Sequence, residues 1–322
     1  MKDYRISLLR FLAIILVVTC HIFQQLEIPL SGWLNIGVQI FLSISGYLFG
    51  MRVISESAYC WFKRRFLRIY IPYALMLILS LGCFALIAPD LIDEKFLYSF
   101  LCLQAFLGAP DNLGHLWYVS IILVCYAITP ALSKVAQSVK SLWKTCAATI
   151  CLSVLCVVVA AVTGCGYLAW VANYILAFFY ASAGRNISKG KTVVILFFGL
   201  LFAVISALGA GGLFSLFNKL GHILLGFGIT FIFLPSRGDS LFKNKWTRCI
   251  LDWNDKYSYA IYLVHAPFFL GSLALIQLNM DFGDIVARTV VLVILVVILA
   301  FLLQKCADVL LGFIKSRKSN IS

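Results

Sequence analysis

The chain is poor in charged residues, and acidic residues are the scarcest. Only 12% of its 322 residues are charged, of which 13 are acidic and 26 are basic. Hydrophobic residues make up 62% of the chain, and the mean hydropathy is +1.00. Apolar runs of about 18 or more residues, each long enough to cross a ~30 Å hydrocarbon core, recur from end to end. This composition excludes a soluble globular protein and predicts an all-α polytopic membrane protein.

Cysteine pairs with the spacing of metal or redox sites are also missing. The chain has 11 cysteines but no C-x-x-C pair, so the sequence offers no support for metal or redox chemistry. Several of the cysteines, such as Cys20 and Cys125, lie within apolar runs, where a thiol behaves as a small hydrophobic group. We therefore predict no metal site and no permanently bound cofactor.

The sequence lacks an internal repeat, a long linker and any soluble segment long enough to fold alone. Its first apolar stretch has no small-residue cleavage site and contains two ionisable residues, so it is not a signal peptide. We predict a single integral-membrane domain over 1–322, with about ten transmembrane helices. The predicted crossings are 6–23, 33–51, 70–88, 115–133, 144–163, 167–184, 192–208, 214–234, 257–278 and 285–312.

The positive charges alternate along the chain. Cations cluster at 2–5, 52–68, 134–144, 185–191, 237–256 and 315–318, whereas the intervening connections hold acidic residues and one clear cation, Lys95. By the positive-inside rule, this alternation predicts that both termini lie in the cytoplasm. The net charge of +13 therefore reports mainly topology, and we expect no nucleic-acid partner.

Two segments do not match simple spanning helices. Residues 56–70 mix aromatic residues with four cations, as expected of a basic interfacial helix at the cytoplasmic surface. Residues 96–108 are apolar but too short to span, so they either re-enter the membrane or lie on its outer surface.

Arg10 and His21 are the most informative residues, because both lie in the first apolar stretch. Eleven helical steps make about three full turns, so the two side chains project from one face, roughly 16 Å apart along the axis. Such a pair predicts the wall of a polar cavity, in which His21 acts as a general base or proton relay. Two simpler readings stay open: His21 meets interfacial water at a helix end, and Arg10 extends to the cytoplasmic interface.

A basic cluster precedes the third crossing. Arg65 and Arg68 are three residues apart and share a helix face, and with Arg64 they could hold the phosphates of a cytoplasmic ligand. The competing interpretation is that these cations orient the protein and contact the anionic headgroups of membrane lipids.

Two further motifs place polar and aromatic residues near the other membrane surface. His115, Trp117 and Tyr118 begin the fourth crossing, where an aromatic belt is the ordinary expectation. Tyr262 and His265 form one helix stripe with Ser258 in the ninth crossing. A polar stripe inside a membrane helix points into the bundle, for packing or for function.

These motifs together resemble the acyltransferase-3 family of bacterial integral-membrane acyltransferases, over nearly the whole chain. Arg10 and His21 have the family's R-x10-H spacing, and 41–48 (FLSISGYL) is similar to its second-helix pattern, which ends in S-G-[FY]-L. Residues 65–72 (RFLRIYIP) resemble its R-x-x-R-I pattern with a following proline, 115–118 (HLWY) its [HN]-x-W-[YF], and 258–265 (SYAIYLVH) its S-Y-x-[IL]-Y-L-x-H. Ser7 departs from the pattern, since the family often has Asp just before its first-helix arginine.

The resemblance implies an acyltransferase-3-like bundle in the bacterial inner membrane. It implies transfer of an acyl group, most often acetyl, from cytoplasmic acyl-CoA to a hydroxyl of a surface polysaccharide or lipid-linked glycan. In the mechanism we expect, the CoA phosphates lie near Arg64, Arg65 and Arg68, the pantetheine arm passes Arg10, and His21 is the base. Direct transfer and a covalent acyl-histidine route stay open. The residues expected on the acceptor side are His115, Trp117, Tyr118, Tyr262 and His265.

Two other classes of protein are compatible with parts of this pattern. A proton-coupled transporter or flippase also uses intramembrane Arg and His, although paired half-repeats are missing and Asp308 is the main acidic residue in the apolar runs. A structural or sensory membrane subunit would tolerate His21→Ala. Acyl-CoA hydrolysis or transfer in detergent distinguishes an enzyme from both.

Overall fold

The structure is a computed structural model and describes residues 2–29, 31–139, 141–184, 188–234 and 242–319. Lys140, Arg185 and Arg237, which belong to the alternating charge pattern, lie outside the described residues, as do the side chains of Lys315, Arg317 and Lys318. The α-helices are α1 (Tyr4–Gln25), α2 (Ile36–Gly50), α3 (Ala58–Ile87), α4 (Lys95–Phe100), α5 (Gln104–Leu107), α6 (Trp117–Ser138), α7 (Leu142–Thr163), α8 (Val171–Ser182), α9 (Lys189–Ala207), α10 (Gly212–Phe233), α11 (Lys245–Val264), α12 (Ala266–Phe269) and α13 (Phe282–Ser319).

Eight helical stretches of the described chain are long and apolar enough to cross a membrane. Each overlaps one of the predicted crossings, and this confirms an all-α polytopic membrane protein. The eight stretches are Tyr4–Gln25, Ser31–Gly50, Ala58–Ile87, Gly114–Ser138, Leu142–Thr163, Lys189–Ala207, Gly212–Phe233 and Phe282–Ile314.

The other two predicted crossings differ from the structure. In 167–184, the 3-10 turn Gly166–Trp170 precedes α8, whose 12 residues span only about 18 Å. The predicted crossing 257–278 is wrong as a single helix, because α11 begins earlier, at Lys245, and ends at Val264. Ala266 then begins the short helix α12, in which Pro267 has no N–H to donate to the carbonyl of Leu263 four residues earlier.

The basic segment 56–70 is not a separate interfacial helix, which corrects that part of the fold prediction. It forms the first turns of α3, a continuous helix of 30 residues. Ser57 caps the helix by accepting a hydrogen bond from the backbone N–H of Cys60, which is worth about 1 kcal/mol. Pro72 lies inside α3 without ending it. Trp61 is buried near the N-terminus, so the basic turns are anchored by packing.

The short apolar segment 96–108 folds back along α3. It forms α4 and α5, separated by a break around Cys102, whose φ is +58°. The Tyr70 and Tyr73 hydroxyls donate hydrogen bonds to the carbonyls of Phe100 and Ser99, at 3.0 and 2.7 Å. Because both tyrosines lie near the middle of α3, this contact favours the re-entrant alternative over a position on the outer surface.

The chain divides into two compact units, and α1, α6 and α11 each contribute one end to each unit. The first unit comprises 1–17, 33–55 and 124–255. In it, α2 packs closely against α8, and α9 against α10. Gly46 and Gly50 permit the α2–α8 contact, because a Cβ at either position would overlap the carbonyl oxygens of Tyr174 and Phe178. This is the close approach that a G-x-x-x-G spacing allows in membrane helices.

The second unit comprises 18–32, 56–123 and 256–322. Here α3 packs against α13 and against α4. The Tyr259 hydroxyl donates a hydrogen bond of 3.1 Å to the backbone carbonyl of Ile69, which ties the C-terminal half of α11 to α3. This unit contains three of the four histidines of the chain, His21, His115 and His265.

Candidate active site

His21 and His265 form a buried, hydrogen-bonded pair in the second unit. His21 Nδ1 lies 2.7 Å from His265 Nε2, although the residues are 244 positions apart in the sequence. His21 is 7% exposed and His265 is fully buried. The short contact between ring nitrogens requires that one nitrogen carry a proton and that the other accept it.

The backbone around His265 decides which nitrogen is the donor. His265 Nδ1 lies 3.2 Å from the carbonyl oxygen of Ile261 and 2.8 Å from that of Tyr262. A carbonyl oxygen only accepts, so we assign the proton of neutral His265 to Nδ1 and an acceptor lone pair to Nε2. His21 Nδ1 must then be the donor. The second ring nitrogen of His21, Nε2, keeps its lone pair and has no hydrogen-bond partner among the described residues.

His115 lies beside this pair and is held through its backbone and its ring. Its ring centroid is 5.2 Å from that of His265 and 6.0 Å from that of His21. Its Nε2 is 3.2 Å from the carbonyl of Leu263, so Nε2 is the protonated nitrogen. His115 Nδ1 is buried and has no partner in the described part of the chain. The Tyr262 hydroxyl donates a hydrogen bond to the His115 carbonyl.

Polar loop contacts hold the three chain segments that carry these histidines. The Gln25 side chain, one helical turn beyond His21, accepts a hydrogen bond of 3.1 Å from the backbone N–H of Gly271. Asn112 donates from Nδ2 to the Leu270 carbonyl at 2.9 Å, and its φ is +60°. Gly271 has a φ of +101°, and a Cβ there would come within 2.7 Å of the Asn112 side chain. Only glycine therefore suits this position.

Asp111 strengthens the same loop contact. Its carboxylate accepts hydrogen bonds from the hydroxyl and the backbone N–H of Ser272. Burial by itself would raise the pKa of Asp111. The hydrogen bonds from Ser272 outweigh this effect, together with a hydrogen bond from the Asn112 N–H and the nearby charge of Lys95, so the pKa lies below its ordinary value. The loop is therefore held by an ionised carboxylate.

Aromatic side chains adjoin the histidines. The rings of Tyr118 and Tyr262 are 5.2 Å apart, and the Tyr262 ring is 5.3 Å from that of His115. Trp117 packs edge-on against Tyr118, and both are buried, at 7% and 8% exposure. Because both rings are buried, they do not form the lipid-exposed aromatic belt that is the ordinary expectation for such a motif. The structure thus brings His115, Trp117, Tyr118, Tyr262 and His265 together with His21.

Arg10 lies in the first unit, where it forms an ion pair that no local sequence pattern predicts. Its Nη1 is 3.2 Å from Oδ1 of Asp255 on α11. The other carboxylate oxygen, Oδ2, accepts hydrogen bonds from Ser7 at 2.6 Å and from Lys2 at 2.7 Å. Ser7 therefore binds a distant carboxylate at the position where the family often has its own. The one sequence feature that indicates this partner is the position of Asp255, three residues before the motif that begins at Ser258.

The surroundings of Asp255 keep it ionised. Burial would raise its pKa, but the hydrogen bonds from Lys2 and Ser7 and the charge and hydrogen bond of Arg10 hold the pKa of this carboxyl below its ordinary value. Asp255 is thus a fixed negative charge that orients the Arg10 guanidinium.

The three arginines at the start of α3 have different partners. Arg64 and Arg65 both pair with Glu56, and the Arg65 contact is 3.4 Å. The Arg65 guanidinium also lies 4.0 Å from the centre of the Trp61 ring. Arg68 makes no ion pair or hydrogen bond among the described residues. A phosphate ligand would therefore meet one open arginine and two that a carboxylate already contacts.

The described residues contain no group of three or more His, Cys, Asp or Glu side chains arranged to hold a metal ion. The three clustered histidines do not form one, since His21 and His265 use ring nitrogens on each other and His115 uses one on a backbone carbonyl.

These observations define a multi-pass membrane protein with a buried, hydrogen-bonded histidine pair and an arginine–carboxylate pair. A family model described as an acyltransferase domain, Acyl_transf_3, matches residues 3–305. The chain therefore belongs to the acyltransferase-3 family and is an acyltransferase, as the sequence resemblance predicts. No curated protein and no solved structure matches it.

Proposed function

We propose that the protein is an O-acyltransferase of the bacterial inner membrane, acting as one domain over 1–322 with both termini in the cytoplasm. The donor is cytoplasmic acyl-CoA, most simply acetyl-CoA, and the acceptor is a hydroxyl of a surface polysaccharide or lipid-linked glycan. Family membership supports the acyl transfer, and the alternating charges support the orientation.

The observation that carries the proposal is the 2.7 Å contact between His21 Nδ1 and His265 Nε2, to which we assign His21 as the donor. With Nδ1 of His21 donating to His265, the lone pair of His21 Nε2 accepts the proton of the acceptor hydroxyl. The hydroxyl oxygen attacks the thioester carbonyl, the carbon–sulfur bond breaks, and the protonated imidazole returns a proton to the leaving CoA thiolate. His265 stabilises the imidazolium that forms in between and keeps the ring oriented.

The donor side of the proposal uses arginine. Arg64, Arg65 and Arg68 bind the CoA phosphates. For Arg64 and Arg65, the phosphates compete with the carboxylate of Glu56. Arg10, oriented by Asp255, contacts the pantetheine arm. On the acceptor side, Trp117, Tyr118 and Tyr262 offer aromatic faces and His115 an unpaired Nδ1 for a sugar hydroxyl.

The test is release of free thiol from acetyl-CoA by purified protein, with and without a membrane glycan extract. His21→Ala should abolish the extract-stimulated release. His222→Gln is the matched control, since His222 is also buried but belongs to the first unit, stacked on Trp33. Equal activity of His21→Ala and the wild type would refute His21 as the base. Absence of release by folded wild type with several acyl-CoA donors would refute acyl-CoA as the donor.

A further inference from the structure

An apolar groove lies between α6, α7 and α8 in the first unit. Its cavity has a volume of about 320 Å³, and every residue that lines it is apolar. That volume falls in the range of small-molecule sites, roughly 300–1,000 Å³. The groove contains none of the residues assigned to acyl transfer.

The groove lies where α7 packs against α8 and against the 3-10 turn Gly166–Trp170 that precedes α8. On α6, Val124, Ile128 and Val135 recur at helical spacing and line one wall. Leu152 and Val159 do the same on α7. Two aliphatic faces therefore stand opposite each other with space between them.

The lining shows which kind of ligand the groove accepts. Leu132, Val171 and Ile175 form a buried floor, while Leu155 and Val159 are 54% and 37% exposed at the rim. The groove is thus open along one side. A polar ligand would find no hydrogen-bond partner on this lining, and the loss of its hydrogen bonds to water would go uncompensated. Inside a bilayer, the molecule that fills such a space is a hydrocarbon chain.

The length of the groove matches one such chain. Val124 and Val135 are eleven residues apart, which is about 16 Å along α6. That is about half of a ~30 Å hydrocarbon core, or the depth of one lipid leaflet. The groove is therefore long enough for a single acyl chain of a bilayer lipid.

Charge beside the groove identifies the headgroup. Lys134 precedes the lining residue Val135, and Lys144 lies in the first turn of α7, so both flank the connection between α6 and α7. Both are exposed, and neither forms an ion pair among the described residues. The sequence has no acidic residue between Asp111 and Asp239. Long lysine side chains reach the membrane surface from such positions and attract anionic headgroups.

We propose that this groove is a binding site for one anionic phospholipid of the bilayer. One acyl chain lies between α6 and α7 on the floor formed by Leu132, Val171 and Ile175, and Lys134 and Lys144 hold the phosphate. The site is independent of the proposed acyl-CoA and glycan sites.

The test is native mass spectrometry of the full chain in mild detergent. The protein is mixed with phosphatidylglycerol or with phosphatidylcholine that carries the same acyl chains, and the retained lipid is counted. The wild type should retain one phosphatidylglycerol several-fold more strongly than phosphatidylcholine. Lys134→Gln with Lys144→Gln should remove that preference. Ala131→Trp, which fills the groove, should reduce retention of both lipids several-fold.

Ala147→Trp is the matched control, because Ala147 is an exposed alanine on α7 outside the groove. Equal lipid retention by Ala131→Trp and Ala147→Trp would overturn the groove as the chain site. Equal retention of the two lipids by the wild type would overturn the anionic headgroup. The double lysine variant changes only exposed, unpaired side chains, so its result stands even if Ala131→Trp does not fold.

Discussion

Replacing His265 with leucine tests whether the histidine pair sets the protonation of His21. Leucine keeps an apolar side chain at a buried position but removes the Nε2 acceptor that lies 2.7 Å from His21 Nδ1. His21 then loses the contact that keeps its proton on Nδ1. The imidazole is free to hold the proton on Nε2 instead, where it blocks the lone pair that the proposed base needs.

The structure allows the size of this effect to be estimated. A buried donor left without its partner costs about 1–3 kcal/mol. If that cost appears fully in the transition state, at about 1.4 kcal/mol per factor of ten, kcat falls by about 5- to 150-fold. The loss is smaller than for removal of His21 itself, because general-base catalysis contributes about 10²–10⁴-fold.

The assay is acetyl-CoA-dependent thiol release at saturating donor, with kcat and KM measured separately. His265→Gln should retain more activity than His265→Leu, since the glutamine side-chain oxygen can accept from His21 Nδ1. If His265 had a purely structural role, the kcat of both variants would fall by the same factor, and both would lose thermal stability to a matching extent. Equal kcat for His265→Leu and the wild type would refute the assigned tautomer.

Three further predictions concern charge and packing. Asp255→Asn should lower the free energy of unfolding by about 1–3 kcal/mol at neutral pH, since Arg10 and Ser7 lose a charged partner. Because the pKa of Asp255 is held below its ordinary value, the wild-type advantage should be complete above about pH 4 and disappear as the pH falls below the folded-state pKa, as thermal unfolding in detergent will show. Gly46→Ala should destabilise by about 1–3 kcal/mol, because its Cβ would overlap the Tyr174 carbonyl, and the same assay measures this. Glu56→Gln should lower the KM for acyl-CoA without changing kcat in steady-state assays, since it frees two arginines for phosphate.

Each of these variants has a control. Asp252→Asn removes an exposed ion pair with Lys2 and should cost less than Asp255→Asn at neutral pH. Gly82→Ala meets no atom within 4 Å and should be nearly neutral or slightly stabilising. Glu94→Gln changes an exposed carboxylate outside the arginine cluster. A control that matches its partner variant in any of these comparisons would contradict the corresponding argument.

The sequence was a good guide to local features and a poor guide to helix limits in two places. Eight crossings could be predicted because each depends on a continuous apolar run, which is a local property. The predicted crossing 257–278 failed because hydropathy does not show where a helix ends, and here α11 stops before Pro267. The charge of 56–70 predicts a separate interfacial helix, but the segment continues into α3, and the burial of Trp61 that anchors it is a tertiary contact.

The site shows the same division. The common face of Arg10 and His21 follows from helix geometry, and the motifs predict a shared acceptor-side role for His115, Tyr262 and His265. Asp255 could not be assigned to Arg10 from the sequence, because the partners are 245 positions apart and no local pattern joins them. Likewise, the sequence positions of Trp117 and Tyr118 are compatible with an aromatic belt at the membrane surface, and only the structure shows that both side chains are buried.

The sequence by itself therefore determined the class of protein, the family motifs and the helix that carries Arg10 and His21, since these depend on composition and on spacing within one helix. Only the tertiary structure decided which nitrogen of His21 is free. That choice depends on His265 and on the two backbone carbonyls that hold its Nδ1, and these groups meet His21 only when segments 244 residues apart are packed together.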